Sequence, residues 1–172
     1  MHPYHQRRNS ADRLAAIIEY LGDTRGIRVL EFGALDGWFS QQLTELLDAE
    51  CTVVDDNPSL EGSRLNVINK RLTATEIRKL GKFDVVLALS VLHHVPQWKA
   101  TLNALLNAAP VAFIETAVPD ETLPKAVNHA ASEQIIKAVQ DAGAISISRN
   151  PGYDAKYMRD LWVIDNRAGN VD

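Results

Sequence analysis

Two acidic residues, Glu31 and Asp55, each close an apolar run, and one helix-length stretch separates them. The first run, Arg28-Val29-Leu30-Glu31-Phe32, leads directly into Gly33-Ala34-Leu35-Asp36-Gly37-Trp38; the second is Thr52-Val53-Val54-Asp55-Asp56-Asn57-Pro58. Short apolar runs bounded by turn residues read as strands buried on both faces, so the pair outlines a βαβ unit of a nucleoside-binding sheet. Both acids then stand at the carboxyl edge of a parallel sheet, where open α/β folds bind their ligands. The glycines decide which ligand. A pyrophosphate needs G-x-G-x-x-G, so that backbone N–H groups can reach it. Here the spacing is E-x-G-x-x-x-G, with Leu35 where a middle glycine often sits, which argues against a nicotinamide dinucleotide.

At 172 residues and 46% hydrophobic content, the chain can bury one substantial core. The net charge of −4 gives no global attraction for nucleic acid or an anionic membrane. The one basic cluster, Arg7-Arg8 with Arg13, reads as a solvated helix start in preference to an anion site. Cys51 is the single cysteine, which excludes an internal disulfide and a cysteine-based zinc site, and its place at the head of an apolar strand predicts core packing. No metal-binding spacing such as H-E-x-x-H is present. No apolar run approaches the roughly 20 residues of a membrane span, and the first ten residues do not resemble a signal peptide. A cytoplasmic protein is the expectation.

Periodicity predicts alternating strands and helices. A polar arm over 1–9 precedes a helix over 10–21, capped by Ser10 and ended by Gly22. Strands follow at 27–32, 51–55, 65–68, 83–89, 111–114, 145–148 and 161–164. Helices are expected at 37–48 (with Phe39, Leu43, Leu46 and Leu47 inward), 75–80, 97–108 and 123–142, with a polar tail from Asn166. The alternation predicts one α/β domain over 1–172 with a mostly parallel sheet.

The E-x-G-x-x-x-G loop resembles the cofactor loop of class I S-adenosylmethionine-dependent methyltransferases. Further stretches carry the likeness: Phe83-Asp84-Val85-Val86-Leu87-Ala88-Leu89-Ser90-Val91-Leu92-His93-His94-Val95 is similar to the fourth-strand signature of small-molecule members, and Asp141-Ala142-Gly143 to the helix end before strand six. The resemblance covers about residues 10–165. It implies a doubly wound, seven-stranded sheet with helices on both faces, whose last strand runs antiparallel between strands five and six. S-adenosylmethionine is the implied cofactor and S-adenosylhomocysteine the product.

The resemblance also distributes roles. Glu31 helps hold the methionine end of the cofactor, or else accepts hydrogen bonds from loop N–H groups. Gly33, Ala34 and Gly37 permit close backbone approach, and the helix start near Asp36 offers free N–H groups to the cofactor carboxylate. Trp38 covers the cofactor or packs under the turn. Asp55 takes the ribose-binding position, with Asp56 as the fallback. Many relatives carry an adenine-binding acid after strand three, where this chain has Arg71-Leu72-Thr73-Ala74-Thr75; Thr73 or a backbone carbonyl is the substitute. Leu89 and Ser90 border the cofactor. His93 and His94 are candidates for a general base, since free imidazole titrates near pH 6.5, but the pair recurs in family members that need no base, which favours a structural role. Asp84 reads as structural.

For the acceptor, the candidates are Tyr4, Arg8, His93 and Tyr153, drawn from the arm, the end of strand four and the 152–157 loop, with 115–121 overhanging the same edge. The expected acceptor is a small molecule or glycan end, methylated on O or N. Competing readings are an RNA or protein methyltransferase, disfavoured by the acidic charge, and a non-enzymatic subunit that binds a partner, favoured by the missing adenine acid. A homo-oligomer or partner subunit is compatible with so small an overhang.

Overall fold

The computed structural model describes residues 3–57, 60, 65–121, 123 and 126–167. Helices are α1 (Pro3–Arg7), α2 (Ser10–Leu21), α3 (Trp38–Leu47), α4 (Ala74–Lys79), α5 (Trp98–Ala108) and α6 (Ser132–Asp141). Strands are β1 (Arg28–Phe32), β2 (Glu50–Val54), β3 (Asn66–Ile68), β4 (Val85–Leu89), β5 (Val111–Glu115), β6 (Ile145–Pro151) and β7 (Met158–Asp165). They form one seven-stranded sheet in the order β3-β2-β1-β4-β5-β7-β6. β7 runs antiparallel to both β5 and β6, and the other pairings are parallel. The doubly wound sheet expected from the sequence is therefore present.

The two-residue period of the strands divides the core into two layers. Leu30, Val86, Ala88, Ala112 and Ile114 face α4, α5 and α6, packing on Ile77, Leu105 and Val139. Val29, Val85, Leu87, Val111 and Phe113 face α2 and α3, packing on Ile17 and Leu43. β1, β4 and β5 are buried almost throughout, the pattern of central strands covered on both sides. Cys51 is buried in the second layer, as its position predicts.

Several local expectations are corrected. The arm over 1–9 contains α1, and Arg8 and Arg13 are buried instead of solvated, because the carboxylate of Glu115 lies under them. Ser10 is not the cap of α2: Asn9 holds that place in the left-handed region that Asn tolerates, and the Ser10 hydroxyl instead pairs with His5 Nδ1 at 2.9 Å. The helix expected over 123–142 spans only Ser132–Asp141. Upstream, the N–H groups of Val127 and Asn128 donate to the His93 carbonyl, both at 3.1 Å, and Asn128 Nδ2 donates to Val95 O at 2.6 Å. Tertiary hydrogen bonds have taken the groups a longer helix would need. Leu46 points outward. The final hairpin is longer than its apolar residues suggest, running from Ile145 to Asp165 with an irregularity between Ser146 and Ser148. His2, Pro58 and the tail from 168 lie outside the described residues.

The turn after β1 depends on Gly33 and Gly37, both at positive φ (78° and 72°). A β-carbon on Gly33 would stand 2.6 Å from Val91 Cβ and closer still to its Cγ2, so the β1 turn and the segment after β4 pack without room for a side chain. Gly33→Ala is expected to lower stability by roughly 2–4 kcal/mol, combining overpacking with a left-handed backbone. Adding Val91→Ala removes the Cγ contacts but keeps Val91 Cβ, so it should recover part of the overpacking share and leave the backbone share, a coupling of about 1–2 kcal/mol in a double-mutant cycle by urea denaturation. Strict additivity of the two changes would show that the contact is not what excludes the side chain.

Candidate functional site

The carboxyl ends of β1, β2, β4 and β5 bring Glu31, Asp55, Ser90 and Glu115 to one edge of the sheet. Parallel register fixes this: Glu31 lies beside Val53 and Leu87, and Glu115 beside Leu89. A cavity of about 40 Å³ opens there, lined among others by Glu31, Gly33, Ala34, Leu89, Ser90, Arg8 and Arg13.

Glu31 is buried and its Oε2 accepts from the Ser40 N–H at 3.1 Å and the Ser40 hydroxyl at 2.5 Å. Burial raises its pKa to about 7 in spite of those two bonds, and the nearby Asp36 and Asp55 add to the rise. A carboxylate so placed favours a cation beside it. Asp55 is partly buried; Oδ2 accepts from the Leu35 N–H at 2.8 Å and Oδ1 from the Asn57 N–H at 2.9 Å. Burial pushes its pKa up, against these backbone bonds. The Asp56 N–H contributes a third backbone bond; a carboxylate offers about four lone-pair sites, so some acceptor capacity remains.

The loop behaves differently from expectation in one respect. The Gly33 and Ala34 N–H groups donate back to Val54 O, at 2.8 and 3.3 Å. At the start of α3, the Trp38 N–H donates to Asp36 Oδ1 at 3.2 Å and the Ser40 N–H to Glu31. The chain's own carboxylates therefore take the Trp38 and Ser40 N–H groups of the helix N-terminus that was expected to hold a ligand anion. The physical reason is ordinary: unsatisfied first-turn N–H groups attract whichever acid the fold brings closest.

Above the loop, α1 and the start of α2 form a roof. His5 is buried, shares hydrogen bonds with Ser10 and with Asp36 Oδ1 (2.9 Å each), and stacks on Trp38 at 5.1 Å. Trp38 thus packs against the roof. Arg8 Nη1 donates to the Tyr4 hydroxyl at 2.8 Å. Beneath them is a buried ionic cluster. Glu115 Oε1 accepts from Arg8 Nη2, and from Arg159 Nη1 at 3.4 Å, while Oε2 accepts from Arg13 Nε. The Ser90 hydroxyl donates to Glu115 and accepts from Arg8 Nη2 (3.0 Å) and Arg159 Nη1 (2.8 Å). Arg159 Nε donates to Glu121 Oε2 at 2.7 Å, and Arg13 Nη2 to the Pro151 carbonyl at 2.8 Å. Burial pushes the Glu115 carboxyl up, but Arg8 and Arg13 outweigh it and hold its pKa at about 2. Ser90 itself sits at φ 61°, uncommon for a residue with a side chain.

Sequence reasoning missed Arg159 and the depth of Arg13. The one local signal for the former is a basic residue just before the apolar run Leu161-Trp162-Val163-Ile164.

His93 and His94 lie in a 3₁₀ turn, Leu92–His94, just after β4, with their rings 4.2 Å apart. His93 is buried, and burial, His94, Arg159 and Arg8 together lower its pKa to about 3. Other expected residues are further from the cavity. Asp56 is exposed and pairs with Arg71 at 2.7 Å. Thr73 caps α4: its Oγ1 accepts from the Glu76 N–H, while Glu76 Oε2 accepts from the Thr73 N–H and hydroxyl at 2.8 and 2.9 Å. Tyr153 is 54% exposed. Asp84 Oδ2 accepts from the Arg28 N–H at 2.7 Å, the structural part expected of it. Among the described residues there is no cluster of ligands for a metal ion and no helix long and apolar enough to cross a membrane.

Comparison with known proteins places this geometry. Residues 4–168 match a family model described as a methyltransferase domain. A search of curated proteins gave no match. The fold is similar to that of WbdD (TM-score 0.65, 18% identity, 92% of this chain and 40% of that one). It is also similar to magnesium protoporphyrin IX methyltransferase (ChlM) from Synechocystis PCC 6803 with bound SAM (0.63, 19%, 90% and 77%). A third likeness is to N-methyltransferase NodS from Bradyrhizobium japonicum WM9 in complex with S-adenosyl-L-homocysteine (0.65, 14%, 96% and 88%). The chain spans about two fifths of the WbdD chain it matches. These identities bear on fold; the family model, which takes in nearly the whole chain, bears on kind, and by it the protein belongs to the methyltransferase-domain family.

Proposed function

We propose that the protein transfers the methyl group of S-adenosylmethionine to an O or N of a small molecule or glycan end. The observation that carries this reading is the cavity at the carboxyl edge of β1 and β4, lined by Glu31 and the positive-φ turn, with Asp55 at the end of β2 bonded to that turn through the Leu35 N–H. The residues fit the group. Glu31 is a buried carboxylate poised for an ammonium, and Asp55 keeps acceptor capacity for a ribose diol. Leu89 and Ser90 border the same space. The name of ChlM, a magnesium protoporphyrin IX methyltransferase, supports a small acceptor, and that of NodS, an N-methyltransferase, is compatible with transfer to nitrogen.

The cofactor supplies an activated methyl group on a sulfonium. The chain's own residues supply position. Glu31 and Asp55 hold opposite ends of the donor, and the roof of Tyr4, His5 and Arg8 keeps water from the edge, so the rate gain comes from alignment. Neither histidine is needed as a base. With a pKa near 3, His93 is neutral throughout the working range and too weak to take a proton from an ordinary nucleophile. Arg8 and Tyr4 face the acceptor side, with Tyr153 at its exposed rim.

Calorimetry with S-adenosylhomocysteine and with NAD tests the reading: the first is expected to bind and the second not. Asp55→Ala should weaken S-adenosylhomocysteine about 10–100-fold while leaving unfolding cooperative. A larger loss in Asp56→Ala than in Asp55→Ala would move the ribose acid by one residue.

Glu31 gives a pH signature. Its folded pKa lies above its unfolded value, so it favours folding below about pH 4.5, and that contribution is lost as pH rises through about 7. Glu31→Gln should therefore raise thermal stability at pH 8, by up to roughly 3 kcal/mol, and leave it nearly unchanged at pH 4.5. Wild-type affinity for S-adenosylhomocysteine is expected to tighten between pH 6 and 8 as Glu31 ionises, and the same change should weaken binding and abolish that tightening. A variant that gains stability but keeps full, pH-dependent affinity would remove Glu31 from the cofactor site.

For His93→Ala, lost turnover is expected to follow lost melting temperature, with no acid limb near pH 6.5 disappearing from the rate profile. A limb that vanishes at unchanged melting temperature would make the residue a base after all.

A further inference from the structure

Gly152, just past β6, is not in the left-handed region that explains the glycines of the β1 turn. What it lacks is room for a side chain. A β-carbon there would stand 2.9 Å from Glu121 Cδ and closer still to Oε1, so the bare backbone is what lets the Glu121 carboxylate in. Glu121 is 3% exposed and sits in a turn after β5, its own N–H donating to Val118 O at 3.2 Å. Its Oε1 accepts from the Tyr153 N–H at 2.6 Å and from the Asp154 N–H at 3.4 Å. The loop over 152–157 closes on itself elsewhere: the Gly152 N–H donates to Tyr157 O at 2.7 Å and the Tyr157 N–H to Asp154 O at 3.0 Å. Tyr153 and Asp154 send theirs outside the loop, to one carboxylate.

The other oxygen of that carboxylate faces the buried cluster. Oε2 accepts from Arg159 Nε at 2.7 Å, and Arg159 Nη1 donates to the Ser90 hydroxyl at 2.8 Å. Ser90 lines the cavity together with Arg8, whose Nε reaches the Pro151 carbonyl at 3.4 Å. One buried guanidinium therefore stands between the carboxylate that holds the loop and the hydroxyl at the end of β4. Such a chain is stiff, because breaking any member strands a charge out of water.

We infer that Glu121 is a positioning residue for the acceptor. It holds the 152–157 loop, with Tyr153 on it, at the carboxyl edge of the sheet, and through Arg159 it couples that loop to occupation of the cavity beside Ser90. That the loop meets an acceptor rests on the function proposed above; the hold on the loop does not. Ordering at the cavity then passes to the rim, so a bound donor prepares the edge where its methyl group is received.

Hydrogen exchange on the full chain, followed by mass spectrometry over peptides spanning the 152–157 loop and the β1 turn, tests both parts. In the wild type, S-adenosylhomocysteine is expected to slow exchange at both places. Gly152→Ala removes no charge and no donor, and should speed loop exchange about 10–100-fold, the loss of charge-assisted hydrogen bonds read as local opening. Glu121→Gln keeps an acceptor oxygen for the loop but no charge opposite Arg159. In that variant S-adenosylhomocysteine should still slow the β1 turn and no longer slow the loop. Loop exchange in Gly152→Ala equal to that of the wild type overturns the inference. So does a loop that answers the ligand as strongly in Glu121→Gln as in the wild type, or a wild-type loop that ignores it while the β1 turn responds. No response at the β1 turn overturns the proposed function instead, and the unliganded comparison with Gly152→Ala still judges the hold on the loop. If Glu121→Gln does not fold, the wild type and Gly152→Ala decide the matter.

Discussion

The carboxylate of Glu115 is the point on which the upper half of the molecule turns. It stands at the end of the central strand β5, out of water, and no group on its own strand can neutralise it. Arg8 from the α1–α2 corner, Arg13 from α2 and Arg159 from β7 converge on it, with the Ser90 hydroxyl from the end of β4 as a further donor. Four separate segments are thereby tied to one point. Buried ion pairs contribute little net stability when complete, but removing one partner is costly. The cluster therefore acts chiefly by specifying where the roof sits.

The same economy of charge governs the turn after β1. Glu31 is held away from water by the fold and held in place by Ser40, one turn into α3. Its two bonds do not offset the burial, which leaves the carboxylate reluctant to ionise until a cation arrives. Arg8 and Arg13 line the same cavity. Asp36 and Glu31 take the Trp38 and Ser40 N–H groups at the start of α3, so the acids of this edge are tied to the helix end beside them.

The histidine pair illustrates how a tertiary field redirects a residue that looks chemical in sequence. Near the arginines, and buried, His93 loses the property that makes imidazole useful as a base. Its backbone carbonyl meanwhile receives Val127 and Asn128, which anchors the segment entering α6. Its place in the fold is to join β4 to that segment.

The sequence by itself determined the sheet, its order of strands and helices, and the position of the two acids at its edge. Those follow from local periodicity and from the fixed geometry of parallel pairing: an acid ending an apolar run must emerge at the carboxyl edge. The glycine spacing likewise set the turn, because a positive φ is a property of one residue and its neighbours. What the tertiary structure decided is everything that depends on charge meeting across the chain. Arg13 and Glu115 are 102 positions apart, and Arg8 and Pro151 are 143 apart; no local pattern marks either pair. For the same reason the segment before α6 stays out of the helix, which starts only at Ser132, and the arm becomes a roof. In each case a hydrogen bond or ion pair made to a distant segment outweighs a local preference worth about 1 kcal/mol or less per residue.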